Sequence, residues 1–171
     1  MKATTIMKNK TSGSKDGDEG DSPSQLIDAR IKEPVENAEI VREVLEGVQA
    51  GMKHGDPGAG FDSEAVAEDV EWIPTSRFPG PDIYRGRDGF TDFLHTWTDG
   101  FEDWSFSIER LVDAPDERVV VQILQSAIGK GSGTPVEMHL AQVYELKDGR
   151  VFRIRNFLDL GQALEAAGLS E

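Results

Sequence analysis

The sequence predicts an α+β domain in which a curved antiparallel sheet packs against three helices, behind a disordered N-terminal tail. Three observations carry that expectation. Two segments in the first half set apolar residues at helical spacing, and the last third alternates apolar and polar residues between short turns. The third is the run TSGSKDGDEGDSPS over residues 11–24, which holds no large apolar side chain. Such a run has nothing to bury against the entropy of ordering, so residues 1–35 read as a tail and 36–171 as the domain.

Asn37 stands as an N-cap for the first helix, whose Ile40, Val41, Val44, Leu45, Val48 and Met52 share one face. Lys53-His54-Gly55 ends it, with His54 placed to meet the helix C-terminal dipole. Asp56–Gly60 reads as a loop and Ser63–Glu68 as a short helix. Val70–Pro74 reads as a strand closed by proline, and Thr75–Pro81 as a loop. A second amphipathic helix follows Tyr84-Arg85-Gly86 and runs to Asp99. Phe90, Phe93, Leu94 and Trp97 form its stripe, and His95 points away from them.

Four strands make up the remainder. Trp104, Phe106 and Ile108 alternate with polar residues in the first; Val119–Ile128, Val136–Leu146 and Arg150–Leu158 are the others. Gly129–Pro135 is a flexible hairpin. Although it contains GKGSG, no helix follows to hold a phosphate. A last helix takes Gly161–Ala167 and ends at Gly168.

Composition narrows the function classes. The 171 residues contain no cysteine, which removes disulfides, thiolate metal sites and cysteine nucleophiles. Lys and Arg number 18 against 32 Asp and Glu, a formal charge of −14. That balance argues against binding nucleic acid or an anionic membrane through bulk charge. Basic and acidic residues nearly balance in the tail, so the acidic excess belongs to the domain. Neither a secretory signal nor a membrane-spanning run is present, and a cytoplasmic location is expected. His54, His95 and His139 lack metal-ligand spacing, so neither metal nor cofactor is expected.

Several motifs resemble the SnoaL-like branch of the NTF2-like superfamily. They are Asn37–Val41, Asp69–Trp72, Tyr84–Gly89, Lys147–Val151, and Phe157–Leu160 followed by Ala163–Gly168. The resemblance implies an NTF2-like cone enclosing an apolar pocket, in a group that includes ketosteroid isomerases, polyketide cyclases, epoxide hydrolases and plain binding modules. At the positions matching the acidic catalytic residues of those enzymes, this chain carries Trp72, Gln142 and Asn156. An amide cannot take up and return a proton as a carboxylate does.

The register of the last hairpin decides which side chains face the pocket. A two-residue turn at Asp148-Gly149 pairs Lys147 with Arg150 and sets His139, Ala141 and Val143 beside Asn156. A three-residue loop with a bulge pairs Leu146 with Arg150. It collects Leu140, Tyr144, Leu146, Phe152, Ile154 and Leu158 on one apolar face, and apolar matching favours it. The expected pocket then has a polar floor of Gln142, Tyr144 and Asn156 and walls of Trp72, Phe93, Trp97, Phe106 and Phe152. Arg153 and Arg155 go to the outer face, opposite Glu137, Glu145 or a second subunit.

Among the carboxylates expected near the rim (Asp69, Glu71, Asp99, Glu102, Asp103 and Asp159), Asp159 is the best displaced acid or base. With Asn156 and Gln142 it completes the catalytic candidates. The expected partners are a small, mainly apolar metabolite and a second copy of the chain. Three functions fit: a cofactor-independent isomerase, cyclase or hydratase; a non-catalytic ligand binder; or an association module.

Overall fold

A computed structural model describes residues 37–170, so the expected tail and its boundary lie outside the described residues. Helix α1 covers 37–52, with Val41, Val44, Leu45 and Val48 buried along the expected face. Asn37, expected as the cap, is already helical. The backbone N–H of Ala38 instead faces the carboxylate of Asp113, which reaches across from a strand and whose charged form it favours.

Two local expectations are corrected between α1 and the sheet. Pro57–Phe61 is a 3-10 helix with proline in its first turn, where the missing N–H costs nothing. No helix forms at Ser63–Glu68: strand β1 already begins at Val66 and runs to Ile73. Its register slips between Val66 and Glu71, so the alternation is broken where the sequence looked helical. Two residues, Tyr84–Arg85, form β2 against Glu71 and Trp72, and helix α2 follows at Gly86–Thr98. Gly86 has φ +78°, a left-handed turn from strand into helix that glycine enters without strain.

Strands β3 (Phe101–Ala114), β4 (Arg118–Gly129), β5 (Pro135–Lys147) and β6 (Arg150–Phe157) form the expected meander, and helix α3 is Leu160–Ala166. The sheet has six strands in the order β2-β1-β6-β5-β4-β3. It is mixed, not purely antiparallel, because β1 lies parallel to β6. Parallel neighbours need a long crossover, and here everything from β2 to β5 lies between them.

Each face of the sheet has its own core. Inside the cone, α1, α2 and the 3-10 helix bring Val44, Phe61, Phe90 and Phe93 against Val121, Ile123, Leu140 and Tyr144. On the outer face Val120, Ala141 and Val143 pack with Ala163 and Ala167. Helix α3 therefore covers the opposite side of the sheet from α1 and α2, whereas all three helices were expected on one side.

The hairpin register is also corrected. Lys147 pairs with Arg150 across a two-residue turn in which Asp148 and Gly149 both have positive φ, 53° and 75°. The register then shifts by one between Glu145 and Leu146, leaving Phe152 without a Cα partner. Beyond that bulge Tyr144 faces Ile154 and Gln142 faces Asn156. The turn is the disfavoured one, yet the bulge restores the parity that sends Gln142 and Tyr144 inward.

Candidate functional site

An aromatic cavity fills the cone. Trp72 from β1, Phe90, Phe93 and Trp97 from α2, and Trp104 and Phe106 from β3 supply much of its wall. The rings interlock: Trp72 lies 4.7 Å from Phe90 and 5.1 Å from Phe93, and Phe78 lies 4.7 Å from Trp97, centroid to centroid. The space between these side chains and the mouth is about 460 Å³. Room for water centres is only about 30 Å³, enough for about two waters. The walls thus rest nearly closed upon one another.

The polar floor has a forced orientation. Asn156 Nδ2 donates 2.9 Å to the carbonyl of Ile73, which can only accept. Its Oδ1 must then accept from Gln142 Nε2, also at 2.9 Å. Gln142 consequently turns Oε1 toward Tyr144, whose hydroxyl donates at 3.1 Å. Burial pushes the Tyr144 phenol well above its ordinary pKa, so it stays protonated. A second fixed amide lies nearby, where Trp104 Nε1 donates 2.9 Å to Gln125 Oε1.

Two donors lack this provision. The indole N–H groups of Trp72 and Trp97 are buried and meet no acceptor among the described residues. Both residues line the cavity. No carboxylate or imidazole does so among the described residues.

The structure brings six of the expected pocket residues together: Trp72, Phe93, Trp97, Phe106, Gln142 and Tyr144. Asn156 stands one layer behind, bonded to Gln142 and the Ile73 carbonyl instead of facing the cavity. Phe152 is displaced by the bulge and takes no part in the wall; the Arg153 guanidinium lies 5.5 Å from its ring centroid. Asp159 is the N-cap of α3, accepting from the Gln162 N–H at 2.9 Å, and it is exposed. Leu158, expected on the apolar face, is 39% exposed because the strand has ended.

The other expected rim carboxylates do not converge on the cavity. Glu71 sits on the outer face, paired with Arg85 and, at 2.9 Å, with Arg153. Glu145 joins the same network, 2.9 Å from Arg155 and 3.5 Å from Arg153. His139 also faces outward, 2.8 Å from Glu109. Among the described residues there is no cluster of His, Asp and Glu able to hold a metal ion, and no helix long and apolar enough to cross a membrane.

Sequence reasoning missed Gln125, Phe78 and Trp104 as wall residues. Gln125 was readable from parity, since Val119, Val121 and Ile123 precede it on the inward face. Phe78 came from a loop without periodicity.

The family model described as the SnoaL-like domain matches residues 41–154. No curated protein matches the chain. Among solved structures, a protein from Jannaschia sp. CCS1 named as a SnoaL-like polyketide cyclase is 23% identical, with TM-score 0.57, over 78% of this chain and 91% of its own. A ketosteroid isomerase-like fold from Catenulispora acidiphila DSM 44928, in complex with trimethylamine, is 17% identical at TM-score 0.56, covering 74% and 93%. TerC, co-crystallised with polyporic acid, is 18% identical at TM-score 0.58, covering 77% and 97%. These similarities show a shared NTF2-like fold.

Proposed function

Starting from the fact that this chain belongs to the SnoaL-like domain family, we propose that its cavity binds a small, mainly apolar molecule by donating hydrogen bonds, without proton transfer by the wall. The observation that carries this reading is the unpaired pair of indole N–H groups, Trp72 and Trp97. A core built for stability alone satisfies its buried donors, because each orphan costs about 1–3 kcal/mol. A ligand with a carbonyl or similar acceptor would supply the missing partner while its apolar body replaced aromatic contacts. Two neighbours of the same fold are described with small organic molecules, trimethylamine and polyporic acid.

Acid–base chemistry of the isomerase or cyclase kind is the weaker reading. The positions that would supply it hold Trp72, Gln142 and Asn156, and the amides are locked in a chain ending on a backbone carbonyl. A general base must reach the proton it takes. Glu71 and Asp159, two of the former candidates, are committed to an outer ion pair and a helix cap.

The test combines native mass spectrometry of the purified chain, searching for a retained molecule, with titration of a neutral fluorescent naphthyl ketone such as prodan. We expect binding that is flat between pH 5 and 8, since no wall group titrates there. Trp72→Phe should weaken it roughly 3- to 10-fold, the worth of one hydrogen bond. Absence of binding, or affinity unchanged by Trp72→Phe, would remove the donor role.

A further inference from the structure

A cavity with room for about two waters cannot admit a ligand unless part of its wall moves, and the geometry points to Trp104 as that part. We propose that Trp104 is the gate of the aromatic cavity, held shut by Gln125. This rests on reading the cavity as a ligand site, and it assigns the residue that sets access to it.

Position is the first argument. Among the described residues, three further clefts share lining residues with the cavity. One lies beside Gln49 and Lys53, one beside His95 and Pro57, and one beside Val136 and Met138. Trp104 lines all three and the inner cavity as well, and no other residue does. Its side chain stands between the interior and each of these clefts, with Phe106 beside it at the first and Trp97 and Gln125 at the third.

Backbone geometry is the second. Between the pairs Glu102–Ile128 and Ser105–Ser126, two residues of β3, Asp103 and Trp104, face one of β4. This is a bulge, a device that re-aims a side chain. Asp103 has φ +52°, a left-handed conformation that a residue with a Cβ adopts only under local demand. Pairing with β4 resumes on either side, and the flanks are tied by Lys130 N–H donating to the Gly100 carbonyl at 3.0 Å and by Gln49 Nε2 donating to the Phe106 carbonyl at 2.8 Å.

The third argument is the weakness of the latch. Trp104 is only half-buried, and its polar tie is the single 2.9 Å bond to Gln125 Oε1. Swinging the indole outward breaks that bond in a place where water can replace it. By contrast, Trp72 and Phe93 are each 5% exposed and are clamped by rings on several sides. Opening at Trp104 also frees Gln125 Oε1 to meet whatever enters.

The chain's three tryptophans make a test that needs no ligand. Hydrogen exchange of the three indole N–H groups is followed by NMR in the full chain, in the wild type and in Trp104→Phe and Gln125→Leu. The gate predicts that Trp72 and Trp97 exchange at least tenfold faster in both variants while backbone amides of β4 keep their protection. Trp104→Phe retains a ring in the bulge and guards against a fold defect in Gln125→Leu. Unchanged exchange at Trp72 and Trp97 in Trp104→Phe overturns the proposal. Stopped-flow mixing with prodan separates the two readings: faster association in Trp104→Phe than in the wild type supports the gate, and association at the wild-type rate counts against it. Accelerated indole exchange without prodan binding to any form keeps the gate and removes the ligand reading.

Discussion

Glu71 illustrates how one substitution of surroundings turns a suspected rim carboxylate into a structural one. Its neighbour Trp72 points into the cone, so Glu71 must point out, where hydrogen bonds from Arg153 and then Arg85 hold its pKa below the ordinary 4.5. The unfolded chain lacks these partners. The stability Glu71 supplies is therefore present above the unfolded pKa and is lost as pH falls through the lower, folded value. Asp113 works in the opposite sense: burial raises it above 3.8, so its ionised form costs stability that returns as pH falls through the raised value. Thermal melts between pH 3 and 7 should show Glu71→Gln less acid-sensitive than wild type. An identical acid slope would dismiss the pairing. At Asn156, replacement by Leu strands both the Ile73 carbonyl and Gln142 Nε2. A loss of about 1–3 kcal/mol per stranded group is expected in urea denaturation.

At the level of elements, the last hairpin shows what periodicity carries and what it leaves out. The apolar alternation of β5 and β6 is strong enough to demand Tyr144, Leu146 and Ile154 inside, and they are buried. It does not say how the chain meets that demand. A left-handed Asp148-Gly149 turn plus a bulge at Phe152 reaches the same parity as a three-residue loop, and only the structure distinguishes them. The same limit explains β1, whose interrupted register imitates a helical spacing. Gln142, Tyr144 and the aromatic wall were legible because inward parity and residue type coincide. Trp104 was not, because the bulge that sets it leaves no mark in composition, whereas Gln125 shares the inward parity of Val121 and Ile123. Another contact invisible to pattern lies between α1 and the 3-10 helix. A Cβ on Gly60 would lie 2.4 Å from Val48 N and 2.7 Å from the Val44 carbonyl oxygen, both backbone atoms of α1. Gly60→Ala should cost about 1–3 kcal/mol, as overpacking against rigid backbone does. A chemical-denaturation midpoint equal to wild type would show that the two elements can separate freely.

For the molecule as a whole, the two-sided sheet sets the terms of association. Helix α3 covers only part of the outer face. Beyond it Gln122, Leu124 and the His139–Glu109 pair stand on β3, β4 and β5. We propose this uncovered area as the contact between two copies, and sedimentation equilibrium should return twice the monomer mass of 18.8 kDa. Leu124→Glu should shift the equilibrium toward monomer while leaving prodan affinity intact, because Ile123 and Gln125, not Leu124, face the cavity. A wild type that sediments as monomer at all concentrations would end that idea.

The parallel pairing of β1 with β6 has a further consequence during synthesis. Strand β1 leaves the ribosome more than seventy residues before its neighbour on that side exists. Until Arg150–Phe157 emerges, it can hold only the two-residue β2, and Val66, Val70 and Trp72 have no finished sheet to join. Contacts so distant in sequence close late and slowly. The nascent chain thus carries an open apolar strand for the more than seventy residues that separate β1 from β6.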